Sequence, residues 1–193
     1  VEIVRTAHVL GVKVAAHAHG TDGINAALRA GVDSVDHGSF LDRESIRLFK
    51  STDSYLVPTL SPGIKIPAQM EGNPFFTEAI KAKAYAASAA AAGNFADAYK
   101  AGVKIAFGTD SAVTPHGENA DEFVMMVEAG MAPMDALYSA TVAAADLLDQ
   151  SDSLGTIAPG KLADIIAVDG DPLEDMSVMR DVVMVMKNGQ RFR

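Results

Sequence analysis

Four side chains in this sequence could share one piece of chemistry: His17, His19, His37 and Asp110. Each follows a glycine at a repeated spacing. Leu10-Gly11-Val12 precedes His17, Ala30-Gly31-Val32 precedes His37, and Ala101-Gly102-Val103 precedes Gly108-Thr109-Asp110. Counted from each glycine, the sixth residue is His17, His37 and Gly108, and the eighth is His19, Ser39 and Asp110. Strand side chains alternate between faces, so sixth and eighth positions share one. If the three segments are neighbouring strands, imidazoles and a carboxylate gather at one end of the sheet, which is the donor set of a metal site. Each residue also has a plainer reading. His17 could be a satisfied core histidine, Asp36-His37 a solvated pair at a strand end, and Asp110 a turn cap. The common spacing favours ligands. His19 faces as His17 does, one step further out, and contacts substrate or takes the place of His17 on the metal. His116 lies in a loop, where it is a plain surface histidine or one that reaches substrate.

The elements that must position these residues alternate regularly. Residues 1–10 read as a helix tail closed by Gly11. Val12–Ala18 is a strand. A helix capped by Thr21 or Asp22 runs to Arg29 and ends at Gly31. Val32–His37 is a second strand, Asp42 caps a helix to about Lys50, and Tyr55–Pro58 is a third strand. A long loop, Thr59 to Phe76, carries Pro58, Pro62, Pro67 and Pro74 at its start and along it, and reads as a lid or binding loop. Thr77 to Ala101 is an Ala-rich helix with a possible break at Gly93-Asn94, and Val103–Phe107 is a fourth strand. Asn119 with Glu122 resembles a capping box for a helix ending at Gly130, and Pro133 suits the first turn of another, to about Asp149. Short apolar strands lacking polar alternation are those of a parallel sheet buried on both faces. Polar residues at the C-terminal strand ends fit a (β/α)8 barrel, whose chemistry sits on that rim. An open doubly wound sheet is disfavoured, since no Gly-rich phosphate turn follows a strand.

After Gln150 the texture changes. Ala163–Val168 and Val182–Met186 are strand-like, and Lys187-Asn188-Gly189-Gln190 is a hairpin signal. Residues 1–150 and 151–193 therefore read as two units, an α/β barrel portion and antiparallel strands outside it. With 193 residues, 49% of them apolar, the chain can form a sizeable core. Lys and Arg number 16 against 25 Asp and Glu, a net charge of −9 without a basic cluster, which argues against nucleic acid or an anionic membrane as partner. No apolar run reaches the ~20 residues of a membrane span. The absence of cysteine excludes disulfides and thiolate ligands. The sequence opens on Val1 and reads as starting within a longer protein, so its compartment is not legible.

The segments VAAHAHGTDGI, SVDHGSF, FGTDS and LGTIAPGKLADIIAVDGDP together resemble the amidohydrolase superfamily, in its branch of imidazolonepropionase-like proteins, Xaa-Pro dipeptidases, carboxypeptidases acting on N-acylated amino acids, and ochratoxin-type amidases. The resemblance covers nearly the whole chain but only the C-terminal half of the family's plan. It implies strands 5–8 of a TIM-like barrel plus C-terminal strands of a small β-sandwich. His17 matches the strand 5 metal ligand, His37 the strand 6 ligand and Asp110 the strand 8 aspartate, which also acts as the catalytic acid–base; His19 and His116 are the substrate-facing candidates. The family's strand 1 His-x-His and strand 4 carboxylated lysine have no counterpart here, so an N-terminal half is the implied partner, along with a homo-oligomeric state.

What the resemblance implies chemically is hydrolysis of an amide or peptide bond, in a dipeptide or N-acyl amino acid, by water activated on a divalent metal, zinc above all, with one or two ions in the complete site. Two other readings stand beside it. One is a non-catalytic fragment or partner subunit that folds only on docking with an N-terminal half. The other is a different reaction of the superfamily, deamination or phosphotriester hydrolysis.

Overall fold

The computed structural model describes residues 1–193, the side chains of Pro67, Ala68 and Gln69 aside. Helix α1 (Glu2–Val9), strand β1 (Ala15–Ala18), helix α2 (Thr21–Ala30), strand β2 (Ser34–His37), helix α3 (Arg43–Thr52) and strand β3 (Tyr55–Val57) alternate as expected. Helices α4 (Leu60–Met70) and α5 (Glu78–Lys100) then separate β3 from strand β4 (Lys104–Ile105). The four strands form one parallel sheet in the order β1-β2-β3-β4, leaving β1 and β4 at its edges.

All four strands are shorter than their sequence signals. β3 stops at Val57 because Pro58 has no N–H to continue the ladder. β1 starts only at Ala15, because the Val14 N–H is taken by the Asp33 carboxylate at 2.7 Å instead of by a strand. The register also differs by one from the glycine count. His17 pairs with Asp36 and Ala18 with His37. Paired residues of a parallel ladder share a face, so Ala16, Val35, Leu56 and Ile105 line one side of the sheet. There the core forms, with Ile24 and Leu28 of α2, Phe49 of α3, Phe95 of α5 and Met126 packed against it. The opposite side carries His17, Asp36, Ser34 and Tyr55. A smaller apolar cluster of Tyr55, Ala106 and Ala143, flanked by Val57 and Leu147, covers part of it.

Several helix boundaries correct the sequence reading. Gly20 rather than Thr21 or Asp22 is the N-cap of α2, and the Thr21 hydroxyl donates to the Phe40 carbonyl instead. Gly31 does close that helix, at φ +85°. Asp42 does cap α3, in a capping box with Ser45. The Thr59 to Phe76 loop is mostly α4, with Pro62 accommodated in its first turn; the side chain of Pro67 is outside the described residues. Helix α5 runs through Gly93-Asn94 without a break. Asn119 and Glu122 form no capping box: helix α6 (Asp121–Glu128) has Ala120 as its N-cap and no side-chain cap. Asn119 instead donates to Thr109 Oγ1 at 3.2 Å, and Glu122 points into the core.

Helix α7 (Pro133–Tyr138) begins on Pro133 and continues through a π-helical turn, Ser139–Ala143, into helix α8 (Ala144–Leu147). The Phe107 N–H donates to the Ser139 carbonyl at 3.1 Å, so this turn abuts the end of β4. Strands β5 (Ile165–Val168), β6 (Val182–Lys187) and β7 (Gln190–Arg191) form a separate antiparallel sheet. Asn188 and Gly189 make the two-residue turn between β6 and β7, both at positive φ, as the hairpin signal requires. Among the described residues no helix is long and apolar enough to cross a membrane.

Candidate metal and active site

Three imidazoles converge beyond the ends of β1 and β2. One nitrogen from each of His17, His19 and His37 lies within 4.8 Å of the others. His17 Nδ1 and His37 Nε2 are 2.9 Å apart. The His19 and His37 rings stack at 4.6 Å, and His17 meets both edge-on.

This convergence needs a break in the sheet pattern. By alternation, Asp36 shares the face of His17 and His37 points the other way. His37 has φ +73°, a left-handed conformation at the strand end that departs from that alternation and brings its ring to His17. Gly38 follows at φ +58°, where a Cβ would meet Leu56 Cδ1 at 2.6 Å. Of the seven non-glycine residues with left-handed backbone among the described residues, His37, Thr59 and Asp110 all line the same pocket. Strain of this kind concentrates at functional sites.

Two of the three rings have a hydroxyl partner. His37 Nδ1 lies 2.6 Å from Thr59 Oγ1, and His19 Nδ1 lies 2.8 Å from Ser39 Oγ. These contacts orient the rings and leave Nε2 of each free to face the cluster. Burial pushes His37 down to about 4, with the neighbouring His19 and His17 adding to the effect. Burial and then His17 lower His19 in the same direction. Both rings are therefore neutral near pH 7, the state in which imidazole binds a metal. The Asp36 carboxyl is raised, by burial above all.

A divalent cation fits this donor set. Tetrahedral Zn–N bonds of 2.0–2.1 Å place ligand nitrogens ~3.3 Å apart, close to the His17–His37 separation. With no cysteine in the chain, nitrogen and oxygen donors are what it offers.

Asp110 lies on the loop beyond β4, exposed, at φ +50°. It lines the pocket with the three histidines but stands outside their cluster, and its charge acts on both His19 and His37. Its loop passes close to β3: a Cβ on Gly108 would meet Val57 Cγ1 at 2.3 Å. His116 is exposed and is not among the pocket-lining residues.

The pocket measures about 500 Å3. Its far wall comes from α4 and α5, with Ile66, Met70 and Ile80 as apolar surface and Lys83 as its cation. The reading of 59–76 as a loop concealed half of this wall. Lys83, lost among the alanines of α5, gave no signal of its own in the sequence.

Comparison with known proteins places these features in a family. A profile described as "Amidohydrolase family" matches residues 1–192. Ochratoxinase from Aspergillus niger is 38% identical over 186 residues, covering 93% of this chain and 38% of its own length. The crystal structure of a Xaa-Pro dipeptidase with methionine bound in its active site superposes with a TM-score of 0.95 at 46% identity, over 99% of this chain and 47% of that one. The crystal structure of the Aspergillus niger ochratoxinase gives 0.86 at 35% identity, over 99% and 44%. The chain thus spans less than half the length of these relatives.

Proposed function

Because this chain belongs to the amidohydrolase family, we propose that it forms the C-terminal half of a metal-dependent enzyme that hydrolyses an amide or peptide bond. The observation that carries this reading is the convergence of His17, His19 and His37 at the mouth of a pocket that Asp110 also lines. The parallel sheet, with its main core of helices on one side and His17, Asp36 and Tyr55 on the other, supports strands 5–8 of a barrel. Residues 1–150 are then the barrel portion, and residues 151–193 supply strands of a sandwich outside it.

In this proposal His17 through Nδ1 and His37 through Nε2 hold a divalent metal, with Asp110 completing the set from this chain. The ion, when bound, lowers the pKa of water to about 7 and polarises the carbonyl to be attacked. Asp110 accepts a proton from the attacking water as the C–O bond forms, and then passes it to the leaving nitrogen as the C–N bond breaks. Such acid–base help contributes about 10²–10⁴-fold. His19, held by Ser39, faces substrate beside the ligands.

The substrate follows from the pocket. Apolar walls beside Lys83 suit an apolar side chain next to a carboxylate, as in a dipeptide or an N-acyl amino acid. The ochratoxinase and the Xaa-Pro dipeptidase among the relatives lend the same direction to this reading. The test is metal content beside turnover of the intact protein on a panel of Xaa-Pro dipeptides and N-acyl amino acids. Bound metal with hydrolysis of at least one group is expected. A protein that binds metal but cleaves neither, while deaminating or opening phosphotriesters, would overturn the reading.

A further inference from the structure

We propose that Glu122 is a positioning residue for His37, acting through the first turn of α4 and the Thr59 hydroxyl. The inference rests on the metal-site reading above. It starts from an anomaly in helix capping. Thr59 is the N-cap of α4, where a threonine hydroxyl ordinarily accepts from the N–H of the second or third helical residue. It makes no such bond. The hydroxyl is instead engaged with His37 Nδ1 at 2.6 Å.

The capping role falls to a residue distant in sequence. Glu122, on α6 and with no exposed surface, accepts from the Leu60 N–H at 2.6 Å, the Ser61 N–H at 2.8 Å and the Ser61 hydroxyl at 2.7 Å. Its carboxylate therefore satisfies buried N–H groups that have no intrahelical partner at the start of α4 and sits at the positive end of the helix dipole. Two oxygens meeting three donors is a task for an ionised carboxylate, which only accepts. With Glu122 in place, Thr59 is held at φ +45° with its hydroxyl free for the imidazole. A His37 that binds metal through Nε2 must carry its proton on Nδ1, so Thr59 Oγ1 accepts that hydrogen bond. Without Glu122, the Thr59 hydroxyl is the nearest substitute cap. It would turn to its own helix and leave His37 without a partner.

The test uses the intact protein. The protonated nitrogen of His37 is read by 15N NMR after metal removal, and zinc affinity by competition with a chelator. The wild type should hold the proton on Nδ1. Glu122→Gln and Thr59→Val should each mix the tautomers and weaken zinc by about 10–100-fold, the usual cost of losing a ligand's hydrogen-bond partner. The double variant should be no weaker than the worse single one, because both act through one hydroxyl. Thr59→Ser, which keeps the hydroxyl, should restore both readouts. Glu122→Asp, too short to span the turn, serves as the second variant if Glu122→Gln does not fold. Unchanged tautomer and zinc affinity in the Glu122 variants, or losses that multiply in the double variant, would overturn the inference. A wild type that takes up no zinc would overturn the metal reading alone, since the tautomer is measured without metal.

Discussion

His17, His37 and Asp110 differ in what they should lose when replaced. His17→Ala and His37→Ala should strip the metal, and turnover with it, because each removes a donor nitrogen from the cluster. Asp110→Asn keeps an oxygen at the same place but removes the base. Metal content should persist while turnover falls about 10²–10⁴-fold. Stoichiometry measured beside kcat separates the two outcomes, and near-normal turnover in Asp110→Asn would sink the mechanism. His19→Ala should alter kinetics alone if His19 faces substrate, and metal content if it is a ligand. Lys83→Met keeps the apolar stem and discards the charge. It should raise KM at least about tenfold for substrates with a free carboxylate, a charge-assisted hydrogen bond being worth about 1.5–3 kcal/mol, and leave their methyl esters unaffected. Much of this cluster was legible in the sequence, because glycines six residues before His17, His37 and Gly108 mark equivalent turns of chain, with Asp110 two residues further on. The register was not, since His17 pairs with Asp36 and only the left-handed backbone at His37 restores the convergence. No pattern of residue types announces a histidine in that conformation.

At the scale of elements, Asp33 ties α1, β1 and β2 together. It accepts from Val14 N–H, pairs with His8 Nε2 at 2.8 Å and lies 3.5 Å from Lys13 Nζ. Burial pulls its carboxyl upward, but the His8 bond, the Val14 amide and the charges of His8 and Lys13 outweigh it, holding it below the usual range. A carboxyl with a depressed folded pKa adds stability above its unfolded value of 3.8, and loses that contribution as pH falls through the folded value. Asp33→Asn should therefore lower stability at pH 7 by about 1–3 kcal/mol, from the weakened charged hydrogen bonds. Its disadvantage should shrink below pH 4. Urea midpoints at pH 7 and pH 3 check this, and an equal deficit at both would refute it. The strands and most helices follow from apolar runs punctuated by glycine. Helix α4 does not, because its start is stabilised by Glu122 of α6, far along the chain, and prolines mask its periodicity. Likewise α5 survives Gly93-Asn94 because Asn94 Nδ2 donates to the Ser39 carbonyl, a bond between distant segments.

For the whole molecule, the consequence lies at the sheet edges. Strands β1 and β4 each have a strand neighbour on one side alone, and an unpaired edge is a template for association. Next to β1, Val1, Ile3, Val9, Leu10 and Val12 are all more than half exposed. On the half-barrel proposal, the 193 residues expressed alone should self-associate, whereas co-expression with an N-terminal half would give a soluble complex. Sedimentation velocity distinguishes these, and a monodisperse monomer of these residues alone would contradict the half-barrel. The alternation of helix and parallel strand, and the turn to antiparallel structure after Gln150, could be read from periodicity because each depends on local pattern. What the sheet's second face meets is beyond local pattern, since Tyr55, Ala106 and Ala143 come together there from distant parts of the chain.

The left-handed backbone at His37, Thr59 and Asp110 has a bearing on how this protein evolves. A side chain in that conformation costs roughly 1–2 kcal/mol relative to glycine, less for Asp. The fold would thus be served by glycine or asparagine at these positions, and the chemistry would be destroyed. A mutant library passed through heat challenge without an activity screen should enrich such replacements early, at the pocket as well as at Asp53, Ala112 and Asp149. Thermal selection and catalytic selection would pull the codons of His37, Thr59 and Asp110 in opposite directions.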